Sequence, residues 1–200
     1  MDHEEDEDKF SNLPEQIISH ILSFLPIKYA ASTSILSPKF KSLWLDITDL
    51  EFEDDHLFHP DKFRDFVESI LIRCSSPTIH RFALRCSSTV DDMFIVNDWI
   101  ENVINRYVEV VELSISSYYS PKLNAEIPKQ LFVCKTLVVL KNNLKFNLSI
   151  PDLDEDVVWF PNLKVFHMVV HNPSEDLEKR LFCNFPVLED LCVEGSLAED

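Results

Sequence analysis

His167 and His171 stand four residues apart, the spacing at which a helix turns two imidazoles toward one divalent metal. They lie on or just beyond an apolar alternation that reads as a strand, with no third ligand near. They read as ordinary surface or turn histidines. Asp152, Asp154, Glu155 and Asp156 follow Pro151 and could crowd several carboxylates into one loop, as a calcium site does. The tight-turn glycine of that pattern is missing, and a solvated acidic loop is the simpler reading. The five cysteines Cys74, Cys86, Cys134, Cys183 and Cys192 are odd in number and contain no C-x-x-C pair, so they predict buried thiols rather than a disulfide framework or a zinc site. There is no G-x-S-x-G elbow. The only glycine is Gly195, which excludes the loops that bring backbone close to a phosphate. No catalytic residue, metal or cofactor is expected, and the chain reads as a non-enzyme.

What remains is binding, and charge narrows the partners. The net charge is −17 over 200 residues, so the phosphate-neutralising surface that nucleic acids require is not expected. No apolar run approaches the roughly 18 residues of a membrane span. Residues 2 to 8 carry six carboxylates, unlike a secretory leader, and read as a solvated tail. These features predict a soluble protein of the cytoplasm, the nucleus or both, with no nucleic-acid or membrane partner. In that setting the glycosylation pattern Asn147-Leu148-Ser149 has no meaning.

Two periodicities then divide the chain. Leu13, Ile17, Ile18, Ile21, Leu22 and Leu25 recur at three- and four-residue spacing and make one helical stripe, with Pro14 in its first turn and Pro26 as its stop. Lys28 to Leu36 is a second short segment. Ser37 reads as a cap, with Pro38 opening a third helix that carries Phe40, Leu43, Trp44 and Ile47. Three short helices cannot easily bury this much apolar surface, so a partner is expected.

Downstream, the pattern apolar-x-x-apolar-x-apolar recurs as Ile47/Leu50/Phe52, Ile79/Phe82/Leu84, Val110/Leu113/Ile115, Leu137/Leu140/Asn142, Leu163/Phe166/Met168 and Leu188/Leu191/Val193. Its starts step by 32, 31, 27, 26 and 25 residues, and only Asn142 breaks the apolar rule. A strand in each unit, with helical stretches at 63–71 and 99–107 and shorter Pro-bearing connections later, predicts an α/β fold. Its architecture is a short leucine-rich-repeat solenoid with parallel strands on the concave side and helices and loops on the convex side. The alternate residues of each strand would point out along the concave face. Of these, Arg81, Arg85, Glu112, Ser114, Lys141, Val165, His167, Val169 and Asp190 are the predicted target-binding residues.

The segments Phe10-Ser-Asn-Leu-Pro-Glu-Gln-Ile-Ile-Ser-His-Ile-Leu-Ser-Phe-Leu-Pro26, Thr33-Ser-Ile-Leu-Ser37 and Leu43-Trp44, with Cys134-Lys-Thr-Leu-Val-Val-Leu140, Phe160-Pro-Asn-Leu-Lys-Val-Phe166 and Phe185-Pro-Val-Leu-Glu-Asp-Leu191, resemble the plant F-box/leucine-rich-repeat family, often seen with an FBD domain. The resemblance implies a three-helix F-box at 9–52, after an acidic tail at 1–8, and a repeat region at 53–195, truncated at its carboxyl end before a tail at 196–200. It implies a substrate receptor of an SCF-type cullin ubiquitin ligase. Adaptor contacts would fall on Leu13, Pro14, Ile17, Ile21, Leu22, Leu25, Leu36, Phe40 and Trp44, while the repeats hold a target protein. Departures stand at Ile27, Tyr29, Ser32 and Pro38-Lys39-Phe40, where relatives carry a polar cap, an acid, a base and Lys-Arg-Trp. These departures imply reduced adaptor affinity, and they motivate a second reading as a non-catalytic scaffold or decoy. The last strand is expected to be an unpaired edge.

Overall fold

The computed structural model describes residues 12–37, 39–54, 59–86, 93–115, 125–144, 148–149, 158–171 and 185–196. The acidic tail, the acidic loop at 152–156, Ser116, Cys183, Pro38 and the side chain of His171 lie outside the described residues. Helix α1 (Glu15–Ser23) starts after Pro14, whose missing N–H is no loss there, and carries Glu15 at its positive end. Helix α2 (Ile27–Ser32) follows Pro26 and runs into a 3-10 turn over Thr33–Ile35. Ser37 stands before the helix rather than at its cap, which is Lys39; its hydroxyl accepts from Lys39 N–H at 3.1 Å and its carbonyl from Phe40 N–H at 3.1 Å. The third helix is shorter than its stripe implies, with α3 covering Phe40–Leu43 before the chain tightens into a 3-10 turn over Trp44–Asp46.

The repeat pattern becomes six parallel strands, β1 (Asp49–Glu53), β2 (Arg81–Cys86), β3 (Val110–Ile115), β5 (Val139–Leu144), β7 (Val165–His171) and β8 (Asp190–Ser196), hydrogen-bonded in chain order. The entry to each strand repeats one device. The carbonyls of Thr48, His80, Glu109, Val138 and Lys164 each accept two successive N–H groups from the next unit, at 2.8–3.2 Å. Their steps of 32, 29, 29 and 26 residues correct the third unit. Its register is Val108/Val111/Leu113, because Val111 is the Cα partner of Phe82 and Leu140. The reading on Val110/Leu113/Ile115 slips by two residues. A two-residue slip leaves every side chain on its correct face, since strand side chains alternate with period two.

One side of the sheet carries Leu50, Phe52, Phe82, Leu84, Val111, Leu113, Leu140, Phe166 and Met168, all buried in one cluster with the inner residues of α4 (Pro60–Arg73) and α5 (Met93–Ile104). Later connections hold only α6 (Lys129–Phe132), one turn, and a pair of two-residue parallel strands, β4 (Ala125–Glu126) and β6 (Leu148–Ser149), that no sequence signal announced. Asn142 completes an apolar row between Leu113 and Met168, buried and with its Oδ1 lacking a hydrogen bond among the described residues. Cys74, Cys86 and Cys134 are buried free thiols as expected, whereas Cys192 is half-buried on the opposite face.

The three-helix unit is joined to the first repeat by its last turn. Ser75 N–H donates to Leu45 O at 2.9 Å, and Cys74 Sγ–H donates to Ile47 O at 3.4 Å. Arg73 places its guanidinium 5.3 Å from the centre of the Trp44 ring, within cation–π range. Behind them, the Arg106 side chain donates to the carbonyls of Leu71, in the last turn of α4, and of Cys74 and Ser76 just after it. Helix α5 closes with Val108 N–H on Val103 O and Tyr107 N–H on Ile104 O, which leaves Tyr107 left-handed at φ 59. This is the position where glycine is usual, because a Cβ crowds the carbonyl there.

Two substitutions test this account by urea denaturation. Leu84→Ala, at the fully buried centre, is expected to cost about 2–5 kcal/mol, whereas Leu191 on the last strand is 40 % exposed and its alanine variant should cost well under half as much. Equal losses would contradict a core that thins toward β8. Tyr107→Gly relieves the left-handed strain at an exposed site and should raise stability by up to about 1 kcal/mol; a loss of stability would show that the turn is unstrained.

Candidate functional site

Two surfaces collect the side chains singled out from sequence. The first is the outside of the three-helix unit. Ile17 is exposed on α1 and Leu25 just past its end, Ile21 and Leu13 are half-buried, Pro14 is exposed, and Leu36 is exposed after the 3-10 turn. Leu22, Phe40 and Trp44 differ from these: all three are buried in the chain's own core, in one cluster with Ile18, Ile27, Ala30 and Leu43. A residue at i+4 or i+5 from Ile17 can turn to either side of the stripe, and the helix packs Ile18 and Leu22 inward while Ile17 and Ile21 face outward. Three exposed residues were missed. Phe24 is 74 % exposed and Ile35 86 %, beside Leu36 at 67 %, and Tyr29 is exposed as well. The signal for Phe24 was available, since Ile17, Ile21 and Phe24 follow the i, i+4, i+7 rule.

The second surface is the open face of the sheet. The register places three rows across the strands: Asp49, Arg81, Val110, Val139, Val165 and Asp190; then Glu51, Ala83, Glu112, Lys141, His167 and Cys192; then Glu53, Arg85, Ser114, Asn143, Val169 and Glu194. All the residues predicted for target binding lie here. The structure joins five of them: Arg81 and Lys141 both hold Glu112, the latter at 3.0 Å, and His167 Nε2 is 2.9 Å from Asp190 Oδ2. Ser114, Val165 and Val169 share the face without ion pairs. Glu51, not singled out from sequence, is the hub of the β1–β2 end, held by Arg81 at 3.1 Å and by Arg85. Arg81 thus bridges two carboxylates across three strands, and Ala83, on the same face between Glu51 and Glu112, is buried.

Charge and burial set the protonation states here. The Arg85 hydrogen bond is the strongest influence on Glu51 and, with Arg81, holds it below the ordinary value of 4.5 despite partial burial. For Glu112 burial is the largest single influence and opposes ionisation, but Lys141 and Arg81 together outweigh it and its pKa is also lowered. Arg81 loses hydration in the same way and is nonetheless held above its usual value by Glu112 and Glu51. Inside the sheet, burial and then the Asp54 carboxylate push the Cys86 thiol far upward, so it stays protonated and is no nucleophile. Among the described residues no group of three or more His, Cys, Asp or Glu side chains is placed to hold a metal, and no helix is long and apolar enough to cross a membrane.

An open groove of about 420 Å³ lies on this face, lined by side chains of β2, β3, β5, β7 and β8 from Arg85 to Glu194. A parallel sheet with one covered and one open face thus follows a small helical unit with exposed apolar residues. Residues 10–50 match the F-box domain, and the chain carries one. It is 36 % identical over 206 residues to an F-box/LRR-repeat protein of Arabidopsis thaliana, covering 97 % of this chain and 51 % of the relative. A second F-box/LRR-repeat protein of that plant is 36 % identical over 92 % of this chain and 36 % of its own length. An FBD-associated F-box protein, also from Arabidopsis, is 33 % identical over 94 % of this chain and 46 % of its own length. The chain therefore spans about half or less of the length of these relatives. No solved structure matches it.

The depressed carboxylates carry a pH signature. A group whose pKa is lower folded than unfolded stabilises fully above the unfolded value and loses that contribution as pH falls through the folded one. Stability should therefore drop as pH falls below the ordinary carboxylate value of 4.5. Glu51→Gln should lower stability at pH 7 and shrink that acid-side drop in denaturation curves taken between neutral and acid pH. An unchanged drop would remove Glu51 from the network.

Proposed function

We propose that this chain is the substrate-receptor part of an SCF-type cullin ubiquitin ligase. The F-box would dock on the small adaptor and, through it, on the cullin, while the six strands form a leucine-rich-repeat solenoid whose open, concave face holds a target protein. The observation that carries this reading is that the F-box match falls on the same helices that leave Ile17, Phe24, Leu25, Ile35 and Leu36 exposed. Large apolar side chains on a soluble surface mark an interaction site, and each is worth about 1.5–3 kcal/mol gross when a partner covers it. The receptor would do no covalent chemistry, in the cytoplasm, the nucleus or both. Its contribution is proximity, which raises the effective concentration of a bound target at the ubiquitin thioester. The short join between Trp44–Asp46 and the first repeat supports this, because a stiff link keeps the two surfaces at a set distance.

The scaffold or decoy reading rests on the departures at Ile27, Tyr29, Ser32 and Pro38-Lys39-Phe40. Ile27 and Phe40 are buried, so those two departures change packing, whereas Tyr29 and Ser32 are exposed on the helical unit, and the adaptor pull-down separates this reading from the first.

A pull-down with a plant adaptor of the SCF type tests the proposal. Wild type should retain the adaptor, and Leu36→Asp or Ile17→Asp should weaken retention by about ten-fold or more, the scale of a central interface residue, with thermal stability unchanged because both sites are exposed. Trp44→Ala should instead lose the adaptor together with the fold of the helical unit. Full retention by both aspartate variants would overturn the assignment.

A further inference from the structure

The open face is unevenly charged. Its rows carry six carboxylates, on Asp49, Glu51, Glu53, Glu112, Asp190 and Glu194, against three permanent cations, Arg81, Arg85 and Lys141. All three cations are engaged by just two of the carboxylates, Glu51 and Glu112. At the other end of the groove Glu194 is exposed and makes no ion pair with any described residue. Its Cα partner on β7 is Val169, followed along the same row by Asn143 and Ser114, whose side chains make no hydrogen bond with a described residue. The groove thus offers, in order across the strands, a hydroxyl, an amide, a half-buried aliphatic side chain and an unpaired carboxylate.

Strand spacing sets the scale. From Ser114 to Glu194 is three strand steps, roughly 14 Å, the reach of about four extended residues. An amide and a hydroxyl standing side by side suit the alternating N–H and C=O groups of an extended backbone, since together they donate and accept. Branched aliphatic surface suits an aliphatic side chain, and an unpaired carboxylate on a surface of surplus negative charge suits a cation.

We infer that the groove takes a short extended segment of a partner protein in which a lysine or arginine lies next to or near an aliphatic residue, the cation meeting Glu194, the aliphatic side chain resting on Val169 and the backbone hydrogen-bonded by Asn143 and Ser114. This rests on the receptor reading above and names the chemistry of the target that such a receptor would hold.

The probe is a displayed library of seven-residue peptides in which one lysine or arginine and one leucine, isoleucine or valine occupy every pair of positions, panned against the full chain. Peptides with the two residues within two positions of each other should be enriched. Glu194→Lys should weaken the best of them by about ten-fold, and Val169→Asp, which adds negative charge, should weaken them too. That second variant separates docking from bulk attraction, because a peptide held by net charge alone would bind Val169→Asp as well as or better than wild type. Such a result, an absence of enrichment, or insensitivity to Glu194→Lys would each overturn the inference. Adaptor retention measured on the same preparation keeps the two readings apart: adaptor bound with no peptide enriched removes only this inference, and peptide enriched with no adaptor bound removes only the receptor reading.

Discussion

One backbone carbonyl per unit, accepting two N–H groups from the unit that follows, sets the whole arrangement of the sheet. Thr48, His80, Glu109, Val138 and Lys164 play this part in turn. Each bond fixes where the next strand begins relative to the last. Because strand side chains alternate strictly, a shared starting point commits every later residue to one of two faces. The covered face is then an aligned stack of apolar rows, Leu50 through Phe82, Val111, Leu140 and Phe166, and each unit buries its neighbour's apolar side chains. The core thins at β8, where Leu191 and Val193 stay 40 % and 44 % exposed.

The open face inherits its order from that register. Arg81, Glu51 and Glu112 meet because their strands start in phase, not because they are near in sequence. Individually, half-exposed ion pairs contribute little to stability. Their larger effect here is to restrain long side chains and to use up the cations of β2 and β5 on two carboxylates, leaving the β8 end acidic. At the other end of the molecule, the last turn of the three-helix unit is pinned to the loop after α4 by Leu45, Asp46 and Ile47. A helical unit that presents apolar side chains and a sheet that presents a charged face are thereby held in one body.

Much of this was legible from residue order. All six strands fall on the repeated apolar pattern, and the outward residues fall on the open face, because alternation is local and survives even the two-residue misreading of the third unit. The helix limits were less legible. Tyr107 reads as the end of α5, yet the helix closes at Ile104, because Val108 must turn back into the core and the chain reverses through a left-handed residue. The paired strands β4 and β6 left no trace, since two residues are too few to show a period. Among the site residues, a helical stripe marks apolar positions without saying whether the same chain or another covers them. Leu22, Phe40 and Trp44 looked equivalent to Ile17 and Leu25 until the three helices were packed together.

The order of residues by itself determined the number of units, their near-regular spacing, the division into a helical and a stranded part, and the absence of glycine-rich phosphate loops, because each of these depends on local periodicity and composition. Only the tertiary structure decided which apolar residues of the helical unit remain outside, that Glu51 joins Arg81 and Arg85, and that Glu194 is left without a cation among the described residues. Those outcomes depend on which strands and helices become neighbours across 25 or more residues of chain, and a contact between distant segments has no signature in either segment alone.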